Sequence, residues 1–184
     1  MKLAEAISLR WSPRAFDLKE IDTETINSLF EAARWAPSSM NEQPWQYYYA
    51  TRDDQSFNKF VECLMAGNQV WAKEAPLLIL CVAKKRFAYN NRINRHALHD
   101  AGAASVSIAI QAAGLGLQVH QMGGFDMDET LETFNLNIME HEPVSFIAVG
   151  YPGDPESLSE ELRKKEKAPR NRKEIGEFVK HVVN

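Results

Sequence analysis

Pro76 is followed by Leu77-Leu78-Ile79-Leu80-Cys81-Val82-Ala83, an unbroken apolar run of strand length, and no other feature restricts the fold as strongly. Side chains alternate between the two faces of a strand, so a continuous apolar run leaves neither face for water. The strand is expected to be central, with helices above and below it. The flanking sequence supplies them. Asp22 reads as an N-cap ahead of Ile26, Leu29, Phe30 and Ala33, spaced i, i+3, i+4, i+7, so residues 23–35 form an amphipathic helix that Pro37 ends. Residues 99–113 hold Ala101, Gly102, Ala103, Ala104, Ser105, Ala109, Ala112 and Ala113, a buried helix whose small side chains admit another backbone at close range. Asp53 or Asp54 is expected to cap a helix presenting Phe57, Phe60, Val61 and Leu64, and another short helix is expected near Asp128 to Phe134. Further strands are read at Trp45–Thr51, Leu117–Met122 and Val144–Gly150. Strands separated by helices predict a layered α/β or α+β domain around a central sheet.

With 184 residues, no internal repeat and no Ser/Gly linker, the chain reads as one domain over 1–184, ending in a basic extension from about 154 to 184. Arg163 to Lys173 holds seven basic residues and one acidic one, and this tail is expected outside the core. A composition of 45% hydrophobic and 25% charged residues argues against a disordered chain. The net charge of -4 offers no general attraction to nucleic acid or to an anionic membrane. Cys63 and Cys81 do not form a disulfide framework, which fits a reducing compartment. The opening residues lack a continuous apolar stretch and the longest apolar run is far short of a bilayer span, so a cytoplasmic protein without secretion or membrane signal is expected.

Four segments carry polar groups with a chemical meaning. Arg10-Trp11-Ser12-Pro13-Arg14 offers forked guanidinium donors and a hydroxyl, a combination suited to phosphate, or two solvated arginines near a helix end. Pro37-Ser38-Ser39-Met40-Asn41-Glu42-Gln43-Pro44 is a proline-stiffened loop whose donors and acceptors suit a heterocycle edge or a polyol, or simply a capped turn. Gly123-Gly124 lets backbone amides approach a flat ligand without Cβ obstruction, and tight turns use the same residues. Arg170 and Arg172 could reach a phosphate, or form solvated surface. Gly114-Leu115-Gly116 lies between helix and strand in the order opposite to a dinucleotide fingerprint. His96, His99 and Asp100 match no strong zinc spacing and read as polar residues at a helix start, so no metal is expected. No nucleophile elbow, P-loop or Cys-x-x-Cys pair occurs, which leaves nucleophilic catalysis by a side chain without support.

Taken in order, these segments resemble the nitroreductase family of flavin enzymes. The resemblance rests on Arg10-x-Ser12-x-Arg14, the Pro37–Trp45 loop, Asn68 ahead of Ala75-Pro76, Gly114-Leu115-Gly116 leading to Gly123-Gly124-Phe125-Asp126, and the basic C-terminal stretch. It implies an α+β fold with a mixed central sheet flanked by helices, and a homodimer with FMN at the subunit interface. By the same resemblance Arg10, Ser12, Arg170 and Arg172 hold the FMN phosphate and Asn68 contacts the flavin's polar edge or ribityl chain. Pro37, Ser38, Ser39, Asn41 and Gln43 come from the partner subunit, and Arg14 faces the pyrimidine end of the ring. Reduced flavin carries negative charge at that end, so a guanidinium there raises its potential. The Gly123 and Gly124 amides approach N5 and O4.

The implied activity is ping-pong hydride transfer from NAD(P)H through flavin N5 to a nitroaromatic, quinone or similar electron-poor acceptor, with no side chain required as acid, base or nucleophile. A specialised flavin reaction, such as reductive dehalogenation or ring oxidation, and a non-enzymatic FMN-binding module are the alternatives. Two departures from the family pattern stand out. Trp71 falls where a Lys near the flavin is common, and the insertion that shapes the acceptor pocket is shortened to a basic segment with Lys84, Lys85, Arg86, Arg92 and Arg95.

Overall fold

The computed structural model describes residues 2–182, so Met1, Val183 and Asn184, at the ends of the expected domain, lie outside the described residues. Helices α1 (Glu5–Leu9) and α2 (Thr23–Arg34) precede strand β1 (Trp45–Thr51), which short helices α3 (Phe57–Glu62) and α4 (Ala66–Ala72) link to β2 (Leu77–Lys84). The long helix α5 (Ala97–Gly114), β3 (Gln118–Met122), α6 (Met127–Thr133) and β4 (His141–Gly150) complete the core, and α7 (Glu160–Lys167) and α8 (Ile175–Phe178) lie in the tail.

The apolar run behaves as expected: every residue from Leu77 to Ala83 is 0% exposed. Alternate side chains serve two separate cores. Leu77, Ile79, Cys81 and Ala83 pack with Ile26, Leu29, Ala104 and Ile108 from α2 and α5. Leu78, Leu80 and Val82 pack with Phe57, Phe60 and Trp71 from α3 and α4. Asp22 caps α2 by accepting the Thr25 N–H at 2.7 Å. Cys63 and Cys81 are both free and buried. No helix among the described residues is long and apolar enough to cross a membrane.

The expectation of a mixed sheet is corrected. The strand order is β1-β2-β4-β3, and every pairing in it is antiparallel. β2 and β3, joined through α5, do run parallel, but β4 inserts between them and removes the parallel pair. β4 is also longer than the expected Val144–Gly150 because a register shift between Cys81 and Val82 lets Pro143 pair with Val82. Such an irregularity accommodates a residue that cannot donate to the ladder. The expected cap on α3 is likewise absent: the Asp54 carboxylate takes the N–H and hydroxyl of Thr51 instead, at 2.7 and 2.9 Å. The basic tail is not wholly outside the core, since Leu158 and Leu162 pack against the α3–α4 side.

The N-terminal segment is stitched to the end of β4. Asp17 N–H donates to Tyr151 O and Gly153 N–H to Ala15 O, both at 2.9 Å, and Phe16 bridges Pro152. A Cβ on Gly153 would lie 2.5 Å from the Phe16 carbonyl carbon, so only glycine fits this approach. This seam fixes the position of the segment carrying Arg10 to Arg14.

Candidate functional site

Residues from the two ends of the chain build a basic cleft. α1 ends at Leu9, and Arg170 donates from Nη1 to Arg10 O and from Nη2 to Ser8 O, each at 2.9 Å. The same guanidinium lies over the Trp11 ring, 5.4 Å from its centroid. Arg10 Nη1 donates to Ser12 Oγ at 3.1 Å. Arg10, Arg170 and Arg172 together line a cleft of about 390 Å³, and none of them has a carboxylate ion-pair partner among the described residues. Partial burial, then the charges of Arg172 and Arg170, push the Arg10 guanidinium below its ordinary value. Three like charges held together this way make a candidate anion site.

Asn68, Gly123 and Gly124 meet on the other side of the sheet from α5. The Gly124 carbonyl accepts from Asn68 Nδ2 at 2.9 Å and from the Met65 N–H at 3.0 Å. Asp126 N–H donates to Cys63 O, and Phe125 bridges Leu64, so the glycine turn is sewn to the start of α4. A Cβ on Gly124 would stand 2.8 Å from Asn68 Nδ2, which makes the absence of a side chain a geometric requirement. Neither glycine N–H is used in a backbone hydrogen bond among the described residues.

Arg14 lines a groove of about 530 Å³ beside Trp71, one turn beyond Asn68 on α4. Its backbone N–H donates to Glu166 Oε2 of α7 at 2.9 Å. Four extended residues span at most roughly 14 Å, so Arg10 to Arg14 can run directly from the basic cleft to this groove. Trp71 is 2% exposed, packed on Phe16 and 4.6 Å from the His120 ring. It belongs to the core beneath the groove rather than taking the place of a free cation. His120 Nδ1 lies 2.8 Å from Pro13 O, and burial, reinforced by Arg14, lowers its ionisation to about 4. It is neutral at pH 7. Glu166 and His120 were not legible as site residues, because each reaches the site through contacts more than 100 positions away in sequence.

The proline-bracketed loop is tightly wound. Met40, Asn41 and Gln43 have φ of 56, 54 and 51°, left-handed values that side chains with a Cβ rarely adopt. Gln43 N–H donates to Ser38 Oγ at 3.0 Å, and the Gln43 side-chain amide bonds the carbonyl and Oδ1 of Asn41. Ser39 N–H donates to Asp100 Oδ2 at 2.9 Å, and Asp100, 3% exposed, also contacts His99 Nδ1. His99 and Asp100 therefore serve the loop, and no group of three or more His, Cys, Asp or Glu among the described residues is placed to hold a metal ion.

This loop does not join the other groups within one chain. It is anchored in the first turn of α5, whereas Trp11 N–H and Leu9 O are held by Gln118, beyond the last turn. The fourteen residues from Asp100 to Gly114 rise about 21 Å at 1.5 Å each. Pro37, Ser38, Ser39, Asn41 and Gln43 are thus candidates for one half-site, and Arg10, Ser12, Arg14, Asn68, Gly123, Gly124, Arg170 and Arg172, which lie in a separate cleft, groove and turn, for another.

Comparison with known proteins agrees in extent and in fold. The sequence profile described as Nitroreductase family matches residues 7–70 and 50–151. A protein of Methanothermobacter thermautotrophicus, provisionally named NADH dehydrogenase/NAD(P)H nitroreductase, is 29% identical over 157 residues, 84% of this chain and 79% of its own length. A crystal structure described as an oxidoreductase containing FMN superposes with a TM-score of 0.91 at 33% identity, covering 97% of this chain and 91% of that one. A nitroreductase family protein from Streptococcus pneumoniae shares the fold, with a TM-score of 0.79 at 17% identity over 97% of this chain and 98% of its own.

Proposed function

The chain belongs to the nitroreductase family, and on that premise we propose that it is an FMN-dependent oxidoreductase passing hydride from NAD(P)H to a nitroaromatic, quinone or similar electron-poor acceptor. The observation that carries this reading is the cleft lined by Arg10, Arg170 and Arg172, with Ser12 bonded to Arg10 and no carboxylate ion-paired to these arginines among the described residues. A phosphate dianion relieves the mutual repulsion of these guanidiniums and accepts their forked donors. The remaining residues fit a flavin. Gly124 offers a face on which a side chain has no room, and Asn68, one of whose two amide N–H groups donates to the Gly124 carbonyl, keeps its Oδ1 for a ligand donor. When bound, FMN supplies reversible hydride acceptance.

The work of the protein is then binding, orientation and electrostatics. Arg10, Ser12, Arg170 and Arg172 hold the phosphate, and the Gly123 and Gly124 amides present donors to the polar edge of the ring. Arg14, its backbone fixed by Glu166, lends positive charge where reduced flavin becomes anionic. Neutral His120 beneath it adds no competing charge. The second half-site, Pro37, Ser38, Ser39, Asn41 and Gln43, comes from a partner subunit, because α5 separates it from the first half-site within one chain. Exposed apolar side chains support such a homodimer: Val106 on α5 is 49% exposed, and Phe178 and Val182 in the tail are 65% and 84% exposed.

The test is the absorbance spectrum of purified protein before and after anaerobic NADH or NADPH. Flavin bands that bleach on addition are the expected result, and Arg10→Ala or Arg172→Ala is expected to weaken FMN binding about tenfold each, as loss of a charge-assisted contact implies. A protein that neither contains nor takes up FMN refutes the proposal.

A further inference from the structure

Past Leu9, the last residue of α1, the chain as far as Arg14 forms neither helix nor strand, so its backbone N–H and C=O groups need partners from elsewhere. Side chains supply them. Gln118 Oε1 accepts the Trp11 N–H at 2.6 Å, and Gln118 Nε2 donates to Leu9 O at 3.1 Å. Arg170 donates to Ser8 O and Arg10 O, His120 Nδ1 lies against Pro13 O, and Glu166 accepts the Arg14 N–H. Gln118 and His120 are two apart in β3 and therefore share one face of that strand, which the pairing of Gln118 with Gly150 ties into the sheet.

Gln118 acts at a particular place in this segment. Its two bonds bracket Arg10, one on the carbonyl before it and one on the N–H after it. An amide offers both a donor and an acceptor, and here each meets its complement, so one side chain fixes the backbone on both sides of the arginine. Trp11, held by the first bond, lies with its ring under the Arg170 guanidinium, 5.4 Å from the centroid. Gln118 thus bears on two of the three arginines of the 390 Å³ cleft, although it does not line that cleft itself. A guanidinium on a long stem converges on an anion at low entropic cost only when the backbone beneath it is already placed.

We propose that Gln118 is a positioning residue of the phosphate site: it fixes the backbone around Arg10 and, through Trp11, the guanidinium of Arg170, so that both arginines meet one phosphate. The proposal rests on the flavin reading above. Its test requires no turnover. Full-length wild type and Gln118→Met, freed of bound flavin by dialysis, are titrated with FMN and with riboflavin, which carries the same ring and ribityl chain but no phosphate, and binding is read from flavin fluorescence. Met matches Gln in length but offers neither the donor nor the acceptor. FMN affinity is expected to fall about tenfold, as the loss of two hydrogen bonds implies, while riboflavin affinity stays within about twofold of wild type. A purely structural role would weaken both flavins alike. Gln118→Thr, suited to a strand and too short to reach both Leu9 and Trp11, gives the same comparison where Gln118→Met does not fold. An unchanged ratio of FMN to riboflavin affinity in a folded variant, or failure of both variants to fold, overturns this inference alone. Wild type that binds FMN no tighter than riboflavin overturns the phosphate site with it, and wild type that binds neither overturns the flavin reading on which both rest.

Discussion

Replacing His120 by Gln should change how stability responds to acid. The imidazole ionises near 6.5 in an unfolded chain, but burial against Trp71, and secondarily the nearby Arg14, holds it at about 4 in the folded one. Between these values the unfolded chain binds a proton that the folded chain refuses. Stability is therefore complete above pH 6.5 and falls as pH drops toward 4. At about 1.36 kcal/mol per tenfold difference in proton affinity, the loss reaches about 2 kcal/mol at pH 5 and about 3 kcal/mol at pH 4. Gln retains an amide donor for Pro13 O but does not titrate. Urea unfolding of both proteins at one fixed concentration, from pH 7.5 to 4.5, isolates the difference from the carboxylates they share. Wild type should lose about 2 kcal/mol more than His120→Gln by pH 5. Parallel pH profiles, or an imidazole that titrates near 6.5 by nitrogen NMR, would refute the argument.

Gly124→Ala puts a Cβ 2.8 Å from Asn68 Nδ2; the Asn68–Gly124 bond should break and FMN affinity, read by fluorescence titration, should fall by about tenfold, in line with about 1–2 kcal/mol for a part-buried hydrogen bond. Gly153→Ala drives a methyl group into the Phe16 backbone and should cost about 1–3 kcal/mol in urea unfolding, whereas Gly176→Ala, with nothing within 4 Å, should cost little. Wild-type stability in Gly153→Ala would show that the seam yields.

Local chemistry was the legible part of the fold. Asp22 with its apolar series defines α2, Trp45–Thr51 is the strand its aromatic residues suggest, and the burial of β2 on both faces follows from one apolar run. Pairing was less legible, because nothing within Val144–Gly150 states that it lies between β2 and β3 rather than at an edge. Asp54 satisfies a turn as readily as a helix, and the choice depends on Thr51. At the candidate site, the meeting of Arg10 with Arg170 and Arg172 was expected through family resemblance alone, since each segment read singly is an ordinary surface charge. The buried Trp71, the Glu166 contact to Arg14 and the left-handed turns of Met40 and Gln43 depend on neighbours distant in sequence or on local strain that residue type does not announce.

The contact of Arg170 with Arg10 and Ser8 spans 160 and 162 positions. During synthesis, the first arginine of the basic cleft leaves the ribosome long before the residues that complete it, and the Gly153 seam beneath it closes late as well. A nascent chain therefore has no complete basic cleft to offer an anion, and a chain truncated before Arg170 should retain the sheet and both cores while lacking that cleft. On the proposed function, capture of a phosphate-bearing ligand waits for Arg170 and Arg172, and its retention reports that they have docked on the segment carrying Arg10.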